Sequence, residues 1–521
     1  MTAAGLRRWW RDGVLYQVYP RSFADGDGDG VGDLRGLTQR LDHLAWLGVD
    51  GVWLSPIMPS PDADWGYDVA DYRDVHPAFG TLADLDELVA AAGARGIRIL
   101  LDLVPNHTSD RHPWFREALA GRDSTRRDWY VWADPKPDGA PPTNWLSAFG
   151  GPAWTLDEAS GQHYLHHFLP EQPDLNWWNE DVRGAFDEIL RFWFARGIAG
   201  FRIDVPHFLG HDPELRDNPP AEEGDPAYVH RYGQRPVWNF MRPELHEVAA
   251  RWRELADAQE PPRLLVGEGV IGGPEVAAFY PADDDGLHMT FHLGLANAPF
   301  EAAALREVVE EAELLLPPGA QPLWTLGNHD IPRYGSRWAG ADPAKARAAL
   351  VLLFGLRGTP TLYYGDELGL GDVPVPDHLR RDPVGRDPER TPMPWSPEPG
   401  LGFTTPAADP WLPYGDRAGL TVAEQRDDPG SALTLTRDLV ALRRRSPDLR
   451  AGGYRRVEAP EGAWAWRRGE GTLVAVNLGG EERAVEGVEG AIAVASTRGR
   501  DGERVSGRLV LRPWQAAIVT R

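Results

Sequence analysis

The chain lacks cysteine altogether: none occurs in its 521 residues. That excludes a disulfide framework and a thiolate metal site, and it fits a reducing compartment. Long apolar runs are missing as well. No stretch is long enough to cross a bilayer, and the opening Met1–Trp10 has no apolar signal core. Positive charge is scarce, with 54 Lys and Arg against 78 Asp and Glu and a net charge of −24. Such a balance disfavours nucleic acid and anionic membrane as partners, and serves solubility. Nor is there a P-loop, a dinucleotide fingerprint or a serine nucleophile elbow. A soluble, cytoplasmic protein is expected.

What is present is ordinary in bulk, 42% hydrophobic and 25% charged, at a length beyond one simple domain. Tryptophan stands out, with 22 residues. Flat indole faces suit the apolar C–H faces of sugars, although most tryptophans fill cores.

Strands and helices alternate through the first half. Val14–Tyr19 reads as a strand, and Leu34–Leu47 as a helix stopped by Gly48. Gly51–Leu54 is a second strand. Thr81 and Asp84 resemble a capping box for a helix over Asp84–Ala94, and Ile97–Leu103 is a third, almost entirely apolar strand. From Val104 to Asn176 the rhythm breaks into a Pro-, Gly- and Trp-rich stretch too long for a loop, read as an inserted domain. Helix Val182–Ala195 restarts the pattern. Strands follow at Gly200–Asp204, Leu264–Glu268, Met289–His292, Trp324–Asn328 and Thr361–Tyr364, with helices at Glu244–Ala256, Ala302–Leu315 and Ala344–Phe354. A long connection, roughly Gly365–Pro429, precedes a last helix over Ala432–Arg445. Four short strands, Ala463–Arg467, Thr472–Asn477, Ile492–Ser496 and Arg508–Val519, then alternate between Gly-rich turns. The fold class is α/β: a (β/α)8 TIM barrel with an inserted subdomain after strand 3 and a C-terminal antiparallel β domain. The divisions are 1–103 and 177–449 for the barrel, 104–176 for the insert and 450–521 for the β domain.

Four barrel strands end in chemistry: Asp102-Leu-Val-Pro-Asn-His107, Gly200-Phe-Arg-Ile-Asp204, Leu265-Val-Gly-Glu268 and Gly327-Asn-His-Asp330. Strand C-termini are where a barrel presents its reacting groups. Arg202 and Asp204, two apart, emerge on one face, and a guanidinium there is expected to keep Asp204 ionised as a nucleophile. Glu268, after an apolar run, suits a proton donor with a raised pKa. Asp330 suits the stabilisation of a positively charged transition state. Singly, each motif is commonplace as a salt bridge or a turn. Together they form the carboxylate set that glycoside cleavage requires.

These four segments resemble the signature regions of glycoside hydrolase family 13, the α-amylase family. Gln172-Pro-Asp-Leu-Asn176, Tyr363-Tyr-Gly-Asp-Glu367 and Gly385-Arg-Asp-Pro-Glu-Arg-Thr-Pro-Met393 resemble its oligo-1,6-glucosidase and α-glucosidase branch, nearest to bacterial α-glucosidases of the Thermus type. The likeness runs from about Trp9 to the C-terminus. It implies a retaining α-glucosidase acting on small α-glucosides, with Asp204 as nucleophile, Glu268 as acid/base and Asp330 as transition-state stabiliser. It also implies a glucose subsite lined by Asp68, Tyr67, His107, Arg202, His329 and Arg390, in which Asp68 and Arg390 wall off the pocket and make the action exo. Arg386, four residues earlier in the same loop, competes with Arg390 for that role. Phe149 and Phe168 of the insert are expected to rim the aglycone side. Val205 resembles the residue found in enzymes that accept α-1,6 links. Gly269 and Pro206 depart from the usual pattern, and both bear on the aglycone side.

Asp25-Gly-Asp27-Gly-Asp29-Gly-Val31-Gly-Asp33 spaces its carboxylates as a calcium loop does, though Gly36 stands where an EF-hand has its bidentate Glu. With the resemblance, this loop implies a structural Ca²⁺ (or Mg²⁺) held by the side chains of Asp25, Asp27, Asp29 and Asp33 and the carbonyl of Val31. His166-His167 is read as surface or pocket rim, not as a metal site. A glucosyl-transferring or isomerising relative, such as trehalose synthase or sucrose isomerase, uses the same three acids. A non-catalytic transport-accessory relative loses an acid and carries an anchor; here all three acids are present and no anchor is expected. Monomer and dimer are both open.

Overall fold

The structure is a computed structural model that describes residues 9–225, 227–269, 277–280 and 285–521. The opening segment read for a signal core lies, as far as residue 8, outside them. Eight strands form one parallel sheet: β1 Leu15–Val18, β2 Gly51–Leu54, β3 Arg98–Leu103, β4 Gly200–Ile203, β5 Leu264–Gly267, β6 Met289–Thr290, β7 Leu323–Thr325 and β8 Thr359–Tyr363. Their spatial order is β7-β8-β1-β2-β3-β4-β5-β6. A single parallel bridge from Phe291 to Leu323 joins β6 to β7 and closes the barrel.

Nearly every strand residue is buried because each strand is covered on both sides. One face fills the barrel with Leu15, Trp53, Leu100, Leu264, Val266, Met289 and Leu323. The other packs beneath the helices through Tyr16, Val52, Ile99, Phe201, Leu265 and Trp324. Two-sided burial is why these strands read as continuous apolar runs.

The helices are α1 Leu34–Leu47, α2 Leu82–Ala94, α3 Glu180–Ala195, α4 Leu245–Asp257, α5 Ala302–Leu315, α6 Pro343–Gly355 and α7 Ala432–Arg445. Helix α2 begins two residues before the expected start because Thr81 is its N-cap and Asp84 its third residue, each bonding the other's backbone N–H. Helix α3 likewise starts early, at Glu180, where the Asn179 side chain accepts from Asp181 N. Helix α1 ends on Gly48, whose φ of 92° only glycine adopts without strain. Among the described residues, no helix is long and apolar enough to cross a membrane.

Within 104–176, Trp132–Ala133, Gln162–Leu165 and Trp154–Asp157 form a three-stranded antiparallel sheet over a small core of Val131, Trp145, Ala153, Trp154 and Leu165. His166 and His167 are not at a surface: both are buried, and His167 Nδ1 pairs with Asp174. A second irregular excursion, 204–243, separates β4 from α4.

The C-terminal sheet has six strands, not four: β9 Tyr454–Val457, β10 Ala463–Arg468, β11 Thr472–Asn477, β12 Arg483–Ala495, β13 Arg504–Leu511 and β14 Ala516–Thr520. The segment Arg508–Val519, expected as one strand, is split at residues 512–515, where Pro513 lacks a donor and Trp514 turns left-handed at φ 58°. The segment Ile492–Ser496 is the end of the longer β12. One side of the sheet joins the main core through Trp464, Trp466, Val474 and Ile518, and Trp466 Nε1 donates to Gly355 O at 3.0 Å. The other side has its own core of Val485, Val488, Leu509 and Leu511.

Candidate active site

Asp204 and Glu268 lie just past the last paired residues of β4 and β5, and Asp330 lies in the loop that follows β7. The ladder continues one bond further, with Asp204 N donating to Leu103 O (2.8 Å) and Glu268 N to Ile203 O (3.1 Å). Those bonds fix both carboxylates at the mouth. All three acids line one cavity of about 910 Å³ with Asp64, Tyr67, His107, Phe149, Phe168 and Arg386. No tryptophan among the described residues lines it; several, such as Trp145, Trp193 and Trp324, are fully buried in the cores.

Beneath the cavity floor one cation organises the acids. Arg202 donates from Nη1 to Asp204 Oδ1 (2.6 Å) and Asp102 Oδ1 (2.8 Å), and its Nη2 lies 2.9 Å from Glu268 Oε2. Arg202 is 2% exposed, so it holds the acids without lining the subsite. The expectation that it keeps Asp204 below the ordinary range is corrected here. Burial drives Asp204 well above that range and outweighs Arg202. Burial likewise raises Glu268, against the same guanidinium. Asp102 is pushed up to about 7 by burial, again opposed by Arg202. The cause is arithmetic of charge: one guanidinium is divided among three carboxylates, which titrate as a set.

Asp330 behaves in the opposite way. Burial pushes its carboxyl up, but His329, Arg386 and Arg390 outweigh that and hold it well below the carboxylate range. Burial drives His329 itself neutral, so the two arginines supply the charge. Each places a guanidinium nitrogen 3.0 Å from Asp330 Oδ1. An acid that stays charged therefore faces an acid that tends to hold its proton.

Val205, directly after Asp204, sits at φ 35° and ψ 49°. A β-branched residue there is strained by about 1–3 kcal/mol. The turn aims its N–H at Glu268 Oε2, 3.0 Å away. Pro206 then opens a short 3-10 turn that carries His207 and Phe208 to the cavity wall.

The expected subsite needs several corrections. Tyr67 and His107 do line the cavity. Asp68 does not: its carboxylate is fully buried and accepts from Ser60 Oγ (2.7 Å), Asp64 N (2.9 Å) and Ala63 N (3.0 Å), bracing its own loop. The residue that faces the cavity is Asp64, which the sequence reading missed. Left-handed turns at Asp62 (φ 63°), Trp65 (φ 50°) and Gly66 (φ 108°) rotate Asp64 inward and Asp68 back. The only sequence signal was a set of acids spaced along one loop, which does not say which of them faces in.

Arg390 and Arg386 exchange places in the same way. Arg386 lines the cavity and bridges Asp64 (2.5 Å), Asp330 (3.0 Å) and Asp382 (2.6 Å). Arg390 lies behind it, 1% exposed, with Nε donating to His329 O at 2.7 Å. His329 is fully buried, and both ring nitrogens are engaged: Nδ1 with Gln17 Nε2 at 2.8 Å and Nε2 with Tyr67 Oη at 2.5 Å. Its ring stacks on Tyr67 at 5.4 Å and 5°, so it supports Tyr67 and does not reach for a hydroxyl. Phe149 and Phe168 meet edge to face at 5.5 Å, and both line the cavity.

In the Asp25–Asp33 loop, ligand oxygens of Asp25, Asp27 and Asp29 lie within 4.8 Å of one another, a donor set suited to a hard divalent cation. Asp33 is not part of that group. It caps α1 from Gly36 N (2.6 Å) and ties Gly26 N (3.0 Å). Val31 contributes an N–H to Asp29 Oδ1 at 2.8 Å. The loop is clasped to the 365–429 connection by Asp25 N to Phe403 O (2.9 Å) and Trp411 N to Gly30 O (3.0 Å). At Gly30 a Cβ would fall 2.0 Å from Asp409 O, so only glycine permits this approach.

The family model for the α-amylase catalytic domain matches residues 17–452. A probable α-glucosidase of Rhizobium meliloti is 43% identical over 87% of this chain and 85% of its own length. An oligo-1,6-glucosidase of Heyndrickxia coagulans is 36% identical over 91% and 92%. The crystal structure of an α-glucosyl transfer enzyme, XgtA, superposes with a TM-score of 0.90 at 39% identity, covering 98% of this chain and 99% of that one. With its barrel, its carboxylate triad and these matches agreeing, the chain belongs to glycoside hydrolase family 13, the α-amylase family.

Proposed function

We propose that the chain is a retaining, exo-acting α-glucosidase that releases terminal glucose from short α-glucosides through a covalent glucosyl-Asp204 intermediate. The observation that carries this is the Arg202 bridge. One guanidinium touches both Asp204 (2.6 Å) and Glu268 (2.9 Å), which supports the close carboxyl pair of a retaining enzyme over the wider, water-filled gap of an inverting one. Glu268, its pKa raised by burial, gives its proton to the leaving oxygen. Of the carboxyls that titrate together, Asp204, beside Arg202 Nη1 at 2.6 Å, is the one that gives up its proton; its carboxylate attacks C1, and the charged Asp330 stabilises the flattened, cationic ring. In the second half Glu268 takes a proton from water, which attacks C1 and releases Asp204.

The Asp64–Arg386 ion pair in the cavity wall supports exo action, as a barrier to a chain continuing past the terminal glucose. Likeness to an α-glucosyl transfer enzyme supports a share of transfer alongside hydrolysis. Val205 lines the cavity beside Glu268, where it can act on linkage choice. The test is proton NMR of fresh digests of maltose and isomaltose. α-Glucose is expected to appear before mutarotation, one residue at a time, with isomaltose cleaved at least as well as maltose. Release of β-glucose first would sink the retaining reading.

The Asp25–Asp29 oxygens also support a structural Ca²⁺ (or Mg²⁺), which would pin the first loop to the connection that carries Arg386. The ion would neutralise the gathered carboxylates and take no part in catalysis. Chelation in metal-free buffer is expected to lower Tm by roughly 3–6 °C, restored by added Ca²⁺. An unchanged Tm in differential scanning calorimetry counts against the site.

A further inference from the structure

Asp102 is fully buried beneath the cavity and does not line it. Both of its oxygens are met by donors. Arg202 Nη1 donates to Oδ1 (2.8 Å), while Trp53 Nε1 (3.2 Å) and Tyr67 Oη (3.0 Å) donate to Oδ2. A proton on either oxygen would point at one of these N–H or O–H groups. Glu268 is built differently. Its two donors, Val205 N (3.0 Å) and Arg202 Nη2 (2.9 Å), both fall on Oε2, which leaves Oε1 to carry a proton.

Whether Tyr67 donates to Asp102 depends on His329. The tyrosine hydroxyl has one proton and lies between Asp102 Oδ2 and His329 Nε2, the latter 2.5 Å away. With a hydrogen on Nε2, the imidazole donates to Tyr67 Oη and the tyrosine proton is free for Asp102. With Nε2 bare, the tyrosine proton goes there instead and Asp102 loses a donor. Two contacts from separate elements select the first arrangement. Gln17 Nε2, on β1, donates to His329 Nδ1 at 2.8 Å, so Nδ1 is the bare nitrogen. Asp330 Oδ2 lies 3.2 Å from Nε2, and a charged carboxylate only accepts. Burial keeps the ring neutral against Asp330, with Arg390, Arg202 and Arg386 acting in the same sense as burial, so its single hydrogen belongs on Nε2. Gln17 is 1% exposed and also donates to Ser55 Oγ at 3.1 Å, which holds its amide in place.

Resting on the retaining α-glucosidase reading, we propose that Gln17 is a positioning residue for proton donation. It fixes the hydrogen of His329 on Nε2, which turns the Tyr67 hydroxyl onto Asp102 and leaves the proton of the buried acids on Glu268. The path runs from Gln17 to His329 to Tyr67 to Asp102, each group donating to the next. Asp102 then stays a carboxylate that grips Arg202, and Glu268 stays the acid that serves the leaving oxygen. No covalent bond to carbon changes along the path; it decides only where one proton rests.

The consequence for pH has a definite sign. Asp102 and Glu268 share Arg202 and face each other's charge, with Asp204, Asp330, Tyr67 and the neutral His207 as the other titratable groups around them. When Asp102 loses the Tyr67 donor it takes up the shared proton. That removes a negative charge beside Glu268, which then gives up its own proton at lower pH.

The experiment compares kcat/KM of the full chain on maltose, whose leaving oxygen needs a proton, and on α-glucosyl fluoride, whose fluoride leaves without one. In Gln17→Met, of similar volume but without a donor, maltose turnover at neutral pH is expected to fall about tenfold further than fluoride release, the effect of moving an acid's pKa by one. The basic limb of the maltose profile is expected to move to lower pH. Tyr67→Phe is expected to show the same split on top of a loss common to both substrates. Nitrogen NMR of histidine-labelled wild type, with the His329 signals identified by their loss in His329→Asn, is expected to show the hydrogen on Nε2. This measurement decides the matter even where Gln17→Met does not fold. A hydrogen on Nδ1, equal losses on the two substrates, or no loss in Gln17→Met overturns the proposal and leaves the glucosidase reading standing. A wild type that cleaves neither substrate overturns both.

Discussion

Asp204→Ala is expected to lower kcat/KM on maltose by about 10⁴-fold or more, roughly 5.5 kcal/mol of transition-state stabilisation. The fold is expected to survive. Arg202 keeps Asp102 (2.8 Å) and Glu268 (2.9 Å) as partners, and the variant removes one of three carboxylates that crowd a single cation. A Tm equal to or above that of the wild type follows, because burial penalises Asp204 in its charged form. Azide then separates the roles of the two acids. In Asp204→Ala, azide takes the place of the missing carboxylate and yields β-glucosyl azide from α-glucosyl fluoride. In Glu268→Ala, it attacks the intact glucosyl-Asp204 ester and yields the α-anomer. If both variants give the same anomer, the assignment of nucleophile and acid/base is wrong.

Arg386→Met is expected to cost kcat/KM about 10²- to 10³-fold, the range that follows when one member of a buried ion cluster is removed. Arg386 touches Asp64, Asp330 and Asp382 at 2.5–3.0 Å, so the variant leaves Asp64 without its ion-pair partner while Asp330 and Asp382 keep Arg390. Asp330 keeps only Arg390 as a nearby fixed cation, so its depressed pKa must rise. The sign is definite. With a cation lost, Asp330 surrenders its charge at higher pH, so the variant is expected to lose more activity relative to the wild type at low pH than at neutral pH. Asp68→Asn is the control: kcat/KM within about threefold of wild type and a lower Tm, as for other altered loop hydrogen bonds. If Asp68→Asn proved the more damaging to catalysis, the assignment of Asp64 and Arg386 to the glucose end would be overturned.

The difference between these two substitutions marks the boundary of what a one-dimensional reading can reach. Asp204 and Glu268 were legible because strand periodicity fixes which way a side chain points, and each sits at the end of an apolar run in a barrel that exposes only its strand ends; Asp330, in the loop after β7, was legible by its Asn328-His-Asp330 motif. Asp64 against Asp68, and Arg386 against Arg390, were not. Both pairs are four residues apart in loops without periodicity; left-handed turns at Asp62 and Trp65 bear on the first, and a web of ion pairs joining three separate loops bears on both. Asp33 shows the same limit. Its place in a regular acidic loop suggested a ligand, and the sequence did not show that its carboxylate also caps the helix that starts at Leu34.

The sequence by itself determined the barrel, the order of its elements and the identities of the three acids, because hydrophobic period and strand ends are local properties. It also held the absence of cysteine and the acidic surface, which narrow the class of partner. Only the tertiary structure decided how charge is shared: that one Arg202 serves three carboxylates, and that Asp330 is held charged by two arginines from a distant loop. Those are sums over groups remote in the chain. Electrostatic and packing energies depend on distances that only the folded chain sets.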